Sequence, residues 1–362
     1  MRILSPILNR VIYPTLGHVG YFRSTSHLTV LTYHGVMPET YRPRDPRLDG
    51  HLHRADDLRR ELKLLKKSYS IILPEQFLDW SQGNGRLPKR AVLLTCDDGL
   101  VNAVVGMLPI LQDEQLLCLF FVTGDSLKKK LRMLWHEELY LMLMDSQARE
   151  LQICIDSVPF KFELNNAAGK QSVWWQLVKG LSRLGGEQRA VAMAQARTEL
   201  GLDGDWQSRY LADPVLRLRF AVLSHDHLHQ LAQAGMTIGA HTLSHPLLSE
   251  QTPDMAQMEL SQSRLALEAD LEKPVWALAY PFGGPGAAGE REFRMAEIAG
   301  YQCAFLNYGG PVRKDSCRFA LPRIHIPGDI RGASFEAYAS GFHSDFRTRL
   351  RSLAGSPRHD EW

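Results

Sequence analysis

The stretch AVLLTCDDG, residues 91–99, decides the fold. Its first four residues are an unbroken apolar run behind Pro88, the pattern of a strand buried on both faces. Asp97 and Asp98 stand side by side at the C-terminal end of that strand, and Gly99 follows. Two adjacent carboxylates at the mouth of a buried strand are costly unless a cation or a proton compensates them. The compensation must come from elsewhere in the chain.

Similar apolar runs flank this one. Residues 28–33 (LTVLTY) read as a strand ending at His34, and 116–122 (LLCLFFV) as another closed by Thr123-Gly124. Residues 71–73, 236–240, 276–280 and 321–326 are further strand candidates. Between them lie helical patterns. Leu58, Leu62, Leu65 and Tyr69 recur at helical spacing, residues 102–114 read as helix, and Thr252-Pro253 starts a helix running to about Leu271. Apolar strands alternating with helices predict an α/β fold with a parallel sheet or barrel. The alternation breaks over 126–220, where a hairpin around LQICIDSVPFKFEL and Ala/Gln/Arg/Leu-rich helices predict an inserted cap. The expected organisation is an N-terminal helical segment 1–27, barrel parts 28–125 and 221–330 around the cap, and a C-terminal helix and tail 331–362.

Composition narrows the function. The chain has 362 residues, 44% hydrophobic and 23% charged, with a formal net charge of +2 and no long basic tract, so nothing calls for nucleic acid. The five cysteines are scattered without a CxxC pair, which predicts a reducing compartment and neither a disulfide framework nor a thiolate zinc site. The N-terminus lacks the apolar core of a signal peptide, and no apolar run approaches the ~20 residues of a membrane span. The expected location is cytoplasmic, with attachment to the inner membrane face as the alternative. Ile3, Ile7 and Val11 at helical spacing beside Arg2 and Arg10 predict a helix packed on its own domain, peripheral membrane contact being the alternative.

The compensation lies at another strand end, in GAHTLSHP, residues 239–246. His241 and His245 are four apart across a strand-to-loop transition and can converge on one divalent cation. A carboxylate completes a triad of two histidines and one acid with open positions for water and substrate. One aspartate of the pair then binds the metal, and the other stays free beside the metal-bound water. Both motifs sit at C-terminal strand ends, where parallel barrels build their sites.

These words, in this order, resemble the polysaccharide deacetylases of the NodB-homology group, carbohydrate esterase family 4. Thr95-Cys96-Asp97-Asp98-Gly99 is similar to that family's first motif, and His241-Thr242-Leu243-Ser244-His245 to its second. LCLFFVTG, AYPFGGPG and LPRIHIPGD are similar to further stretches, the last to one common in the exopolysaccharide-locus branch. The resemblance spans roughly 28–330 and implies a distorted (β/α)7-type barrel. It implies Asp97 as general base and Asp98, His241 and His245 as ligands of a divalent metal, zinc being expected. It implies that an N-acetylated glycan or glycan precursor loses acetate, in bacterial exopolysaccharide production. A related C–N hydrolase acting on a small amide or another acylated sugar is the first alternative, and a catalytically weak glycan-binding barrel the second.

Several positions depart from the family pattern. Nothing after residue 330 resembles its terminal leucine-x-leucine-histidine motif. Leu31-Thr32-Tyr33-His34 does, as in permuted members, so His34 is the expected general acid and His325 the alternative. The third motif's usual arginine is replaced by Ala279, and Arg323 is the expected substitute cation. Tyr280 and Phe282 are expected at the oxyanion or substrate, Phe282 through its backbone N–H. Cys96 reads as core filler, and His225-Asp226-His227-Leu228-His229 as a solvated helix start. Trp135 faces either the sugar or the core.

Overall fold

The computed structural model describes residues 12–13, 15, 28–127, 131–344 and 346. Most of the expected 1–27 segment, and the tail beyond 346, lie outside the described residues. No described helix is long and apolar enough to cross a membrane.

The strands are β1 (Thr29–Tyr33), β2 (Ser70–Ile71), β3 (Ala91–Cys96), β4 (Leu119–Val122), the hairpin β5 (Glu150–Ile155) and β6 (Val158–Glu163), β7 (Thr237–Ala240), β8 (Ala277–Ala279), β9 (Cys303–Phe305) and β10 (Ile324–His325). Eight of them form one sheet in the order β10-β1-β3-β4-β7-β8-β9, with β2 on the start of β3. Every pairing in it is parallel. A parallel bridge also joins Leu321 to Phe305 of β9, while Ile324 pairs with Leu31 of β1. The segment 321–325 therefore spans the gap between the two ends of the sheet and curls it toward closure. This is a curled parallel half-barrel: the alternating pattern predicts its parallel sheet, and the family resemblance implies its distorted (β/α)-barrel form.

The period of two along each strand sorts its side chains. Val30, Ala91, Leu93, Leu119, Phe121, Ala277, Ala279, Cys303, Phe305 and Leu321 share one buried cluster, the lumen, with Phe77 of helix Pro74–Ser81. Leu31, Val92, Leu94, Phe120, Val122, Ile238, Ala240 and Leu278 face the outer helices, including Leu58, Leu62 and Leu65 of helix Ala55–Ser68. Residues 91, 93, 95 and 97 share one parity, so Asp97 continues the inward row. Gly239 lies opposite Phe121 in the lumen, where an added Cβ would come within 2.6 Å of the Phe121 ring.

The helix expected over 102–114 is split. Ala103–Met107 is a wider π-turn that passes into helix Leu108–Asp113. Pro109 has no N–H for the ordinary i→i−4 bond, and its ring crowds the carbonyl of Val105, so the chain widens instead of continuing as α-helix.

The cap folds as expected into a hairpin and helices Trp135–Asp145, Ala167–Ser182, Gly186–Glu199, Trp206–Ala212 and Pro214–Phe220. Its two ends are clasped by an antiparallel bridge between Met133 and Ala221. Its core is a second apolar cluster that also takes in Met37, Tyr41, Leu48 and Leu52 from the loop after β1. A buried ion network fastens the same place: Arg219 donates to Asp49 Oδ1 at 2.8 Å, Glu137 Oε1 at 2.9 Å and the Leu48 carbonyl at 2.6 Å.

Candidate active site

Asp98, His241 and His245 meet at the C-terminal edge of the sheet. Asp98 Oδ1 lies 3.5 Å from His241 Nε2 and 3.4 Å from His245 Nε2, and the three donor atoms fall within 4.8 Å of one another. His241 Nδ1 lies 2.7 Å from the Ala279 carbonyl. A carbonyl only accepts, so Nδ1 carries the hydrogen, and Nε2 is the ring nitrogen turned toward Asp98. One carboxylate oxygen and two imidazole nitrogens, largely withdrawn from water, are a donor set suited to zinc or a similar divalent ion.

Asp97 continues the inward row of β3, close enough to His241 to feel its charge. Arg323 grips it with two bonds, Nη1 to Oδ1 at 2.7 Å and Nη2 to Oδ2 at 2.6 Å, and both side chains are almost fully buried. Nη1 also donates to Thr95 Oγ1, Nε donates to the Leu306 carbonyl, and the guanidinium lies over the rings of Phe121 and Phe305. Burial by itself would raise the carboxyl pKa of Asp97. The charge of Arg323, then that of His241, and the bonds from Arg323 outweigh it and hold Asp97 below its ordinary value. The two aspartates thus have different partners: an arginine for Asp97, and the imidazoles of His241 and His245, which hold the Asp98 carboxyl well below its ordinary value, for Asp98.

The backbone is strained where these groups meet. Asp98, Thr242, His245 and Phe282 all have φ between 60° and 75°. Non-glycine residues in that region cost on the order of 1–3 kcal/mol each and persist only where the surroundings over-determine them. Around Thr242–His245 they do. Gly124 N–H bonds to the Thr242 carbonyl and Asp125 N–H to the Leu243 carbonyl, Ser263 Oγ donates to Thr242 O, and Ser244 N–H donates to Glu259. The cap adds two more contacts: Trp135 Nε1 donates to the His245 carbonyl at 3.0 Å, and Arg189 Nη2 to Ser244 Oγ at 2.7 Å. Trp135 therefore anchors the loop 242–245, a role its sequence position does not reveal.

On the β1 side His34 packs edge-on against His51 and His325, with ring centroids 4.8 and 5.2 Å away. Burial lowers the pKa of His34, while the carboxylates of Asp98 and Asp97 pull it back up. Burial holds His325 down to about 3, His34 adding to the effect. Deeper in, His53 Nε2 lies 3.5 Å from Glu61 Oε2. Burial pulls His53 down to about 3 and pushes Glu61 up to about 8, so the folded pair keeps a single proton between those limits.

The remaining expected residues divide. Tyr280 does not reach the site: its hydroxyl donates to the Phe319 carbonyl and its N–H to the Phe305 carbonyl, so the side chain is core. Its neighbour Phe282 does reach it, with ring centroids 5.0 Å from His245, 5.2 Å from His136 and 5.6 Å from Trp175. His136 stacks on His245 at 4.5 Å. His136 and Trp175 belong to the cap, and neither carries a spacing signal that marks it beforehand. Cys96 is buried among apolar neighbours, and burial pushes its thiol well above the ordinary range.

Comparison with known proteins gives a consistent picture. Residues 202–303 match the family model described as polysaccharide deacetylase, a family of hydrolases acting on amide C–N bonds. The match contains His241 and His245, while Asp97 and Asp98 lie outside it. YxkH of Bacillus subtilis (strain 168) is 28% identical over 116 residues, 32% of this chain. The aligned stretch is 40% of YxkH, so the chain spans about two fifths of that curated relative. Among solved structures, the deacetylase PplD of Streptococcus pyogenes in complex with acetate is similar at a TM-score of 0.53 and 17% identity, covering 84% of this chain and 94% of that one. IcaB from Ammonifex degensii is similar at 0.52 and 14%, covering 87% and 97%. A de-N-acetylase from Aggregatibacter actinomycetemcomitans is similar at 0.53 and 14%, covering 86% and 100%. These likenesses show a shared fold.

Proposed function

We propose that this chain is a metal-dependent deacetylase that removes the acetyl group from an N-acetylated amino sugar of a polysaccharide or glycan precursor, in bacterial exopolysaccharide production and on the cytoplasmic side. The observation that carries the reading is the division of labour within Asp97-Asp98: one carboxylate is turned to two metal-competent imidazoles, the other is held ionised by a buried arginine. The match to the deacetylase family over 202–303 supports it.

Asp98, His241 and His245 would hold the metal, with zinc the expected ion. A divalent cation bound there supplies Lewis acidity to the acyl oxygen and lowers the pKa of an attacking water. Asp97 takes the proton from that water, and Arg323 fixes both the direction and the charge of its carboxylate. The Phe282 N–H is assigned to the developing oxyanion. His34 delivers the proton to the leaving amine. The donor is the imidazolium form, protonated from solvent before the reaction: burial disfavours that form and the carboxylates of Asp98 and Asp97 favour it. The aromatic wall of Phe282 and Trp175 is assigned to the sugar face.

Acetate release from N-acetylglucosamine oligomers tests the reading, using metal-stripped protein, zinc-reloaded protein and reloaded Asp97→Asn. Release that requires zinc and collapses in the variant is expected. Turnover of small amides but not of oligomers would replace this reading with that of a small-amide hydrolase. Zinc retention with no hydrolysis of any acetylated sugar would replace it with that of a glycan-binding barrel.

A further inference from the structure

The segment HDHLH forms the start of helix His225–Gln233, capped by Ser224, as its composition predicts. Its histidines, however, do not simply face water. His225 and His229 are one helical turn apart and their ring centroids are 4.4 Å from each other. Both aim a nitrogen at one carboxylate on a different helix. His225 Nδ1 lies 2.8 Å from Asp270 Oδ1, and His229 Nε2 lies 3.1 Å from Asp270 Oδ2. Asp270 sits in the last turn of helix Pro253–Leu271. No lysine or arginine pairs with it among the described residues.

The three donor atoms, one from each ring and one from the carboxylate, lie within 4.8 Å of one another. A divalent cation between them would take a lone pair from each ring and a negative charge from the carboxylate. We propose that His225, His229 and Asp270 form a second cation site, separate from Asp98, His241 and His245. Two imidazoles and one carboxylate select zinc or a comparable borderline ion over magnesium or calcium, which prefer all-oxygen shells. The His225 and His229 side chains are 56% and 35% exposed, which leaves room for water ligands. The two helices so joined precede and follow β7, the strand that delivers His241. An ion there staples the supports of that strand.

The test is zinc stoichiometry by equilibrium dialysis of the whole protein, metal-stripped and with the exposed thiols of Cys154 and Cys317 alkylated. Wild type is compared with His225→Gln, His229→Gln and Asp270→Asn, each checked for native circular dichroism. Wild type is expected to bind one equivalent more than every variant, and zinc to raise its Tm more than theirs. A magnesium titration is expected to show no such difference. Equal zinc stoichiometry in all four proteins overturns the site and leaves a hydrogen-bonded trio. The count depends on a difference of one, so it stands whatever the site around Asp98 binds or hydrolyses.

Discussion

Replacing Arg323 by methionine removes the guanidinium while keeping an apolar side chain of similar length. Asp97 is then left 3% exposed in the lumen without its two donors, Thr95 Oγ1 loses one, and the Leu306 carbonyl loses its Nε partner. Breaking a buried pair by deleting one partner costs about 3–5 kcal/mol, because the surviving charge stays buried and uncompensated. Removing both partners costs far less, since no charge remains to be compensated. Urea unfolding should therefore place Arg323→Met about 3–5 kcal/mol below wild type. The double variant Asp97→Asn/Arg323→Met should recover about 2–3 kcal/mol of that loss. Activity should follow the orientation of the base: Arg323→Met loses about 100-fold or more in kcat, while Arg323→Lys keeps the charge without the two-pronged geometry and loses less. A methionine variant within 1 kcal/mol of wild type, with kcat within twofold, would refute the claim that this arginine holds the base. So would strict additivity in the double variant.

Other predictions concern the same edge of the sheet. In the unfolded chain the His53–Glu61 pair holds no proton above about pH 6.5, whereas the folded pair keeps one up to about 8. Stability should therefore fall by about 2 kcal/mol as pH rises across that window, and Glu61→Gln should abolish the fall in urea midpoints measured from pH 6 to 9. His34→Asn should depress kcat at least tenfold more than His325→Asn while leaving zinc affinity intact, and the reverse order would assign the acid to His325. Trp135→Phe removes the donor to the His245 carbonyl and should weaken zinc binding about tenfold, as read by competition with a chelating dye.

Local pattern carried much of the fold and part of the site. Strands buried on both faces announce themselves as apolar runs, and the parity of 91, 93, 95 and 97 already turns Asp97 inward. The meeting of Asp98 with His241 and His245 is legible because both motifs follow strand ends, the place a parallel sheet reserves for such groups. Arg323 is legible only as a cation near a missing one, since nothing local says that residue 323 crosses the lumen to residue 97. Tyr280 misleads because it stands two residues before Phe282: strand alternation would keep both on one face, but β8 ends at Ala279 and Phe282 has a φ of 62°, so the chain turns between them. The pairing of His225 and His229 with Asp270, and the grip of Trp135 and Arg189 on the loop 242–245, join residues more than forty positions apart. Those contacts depend on how helices and cap settle on the sheet, which spacing along one segment does not encode.

The closing segment 321–325 also sets an order of events for a nascent chain. Asp97 and Arg323 are separated by 226 residues, so β1, β3 and β4 leave the ribosome long before the arginine does. Until it arrives, drying the lumen around Asp97 would strand a bare carboxylate, and bridging that separation is a slow, long-range contact. Sealing the sheet and compensating Asp97 therefore fall to the same segment. Completion of the barrel and readiness of the aspartate become a single step, and a polypeptide halted before residue 321 has neither.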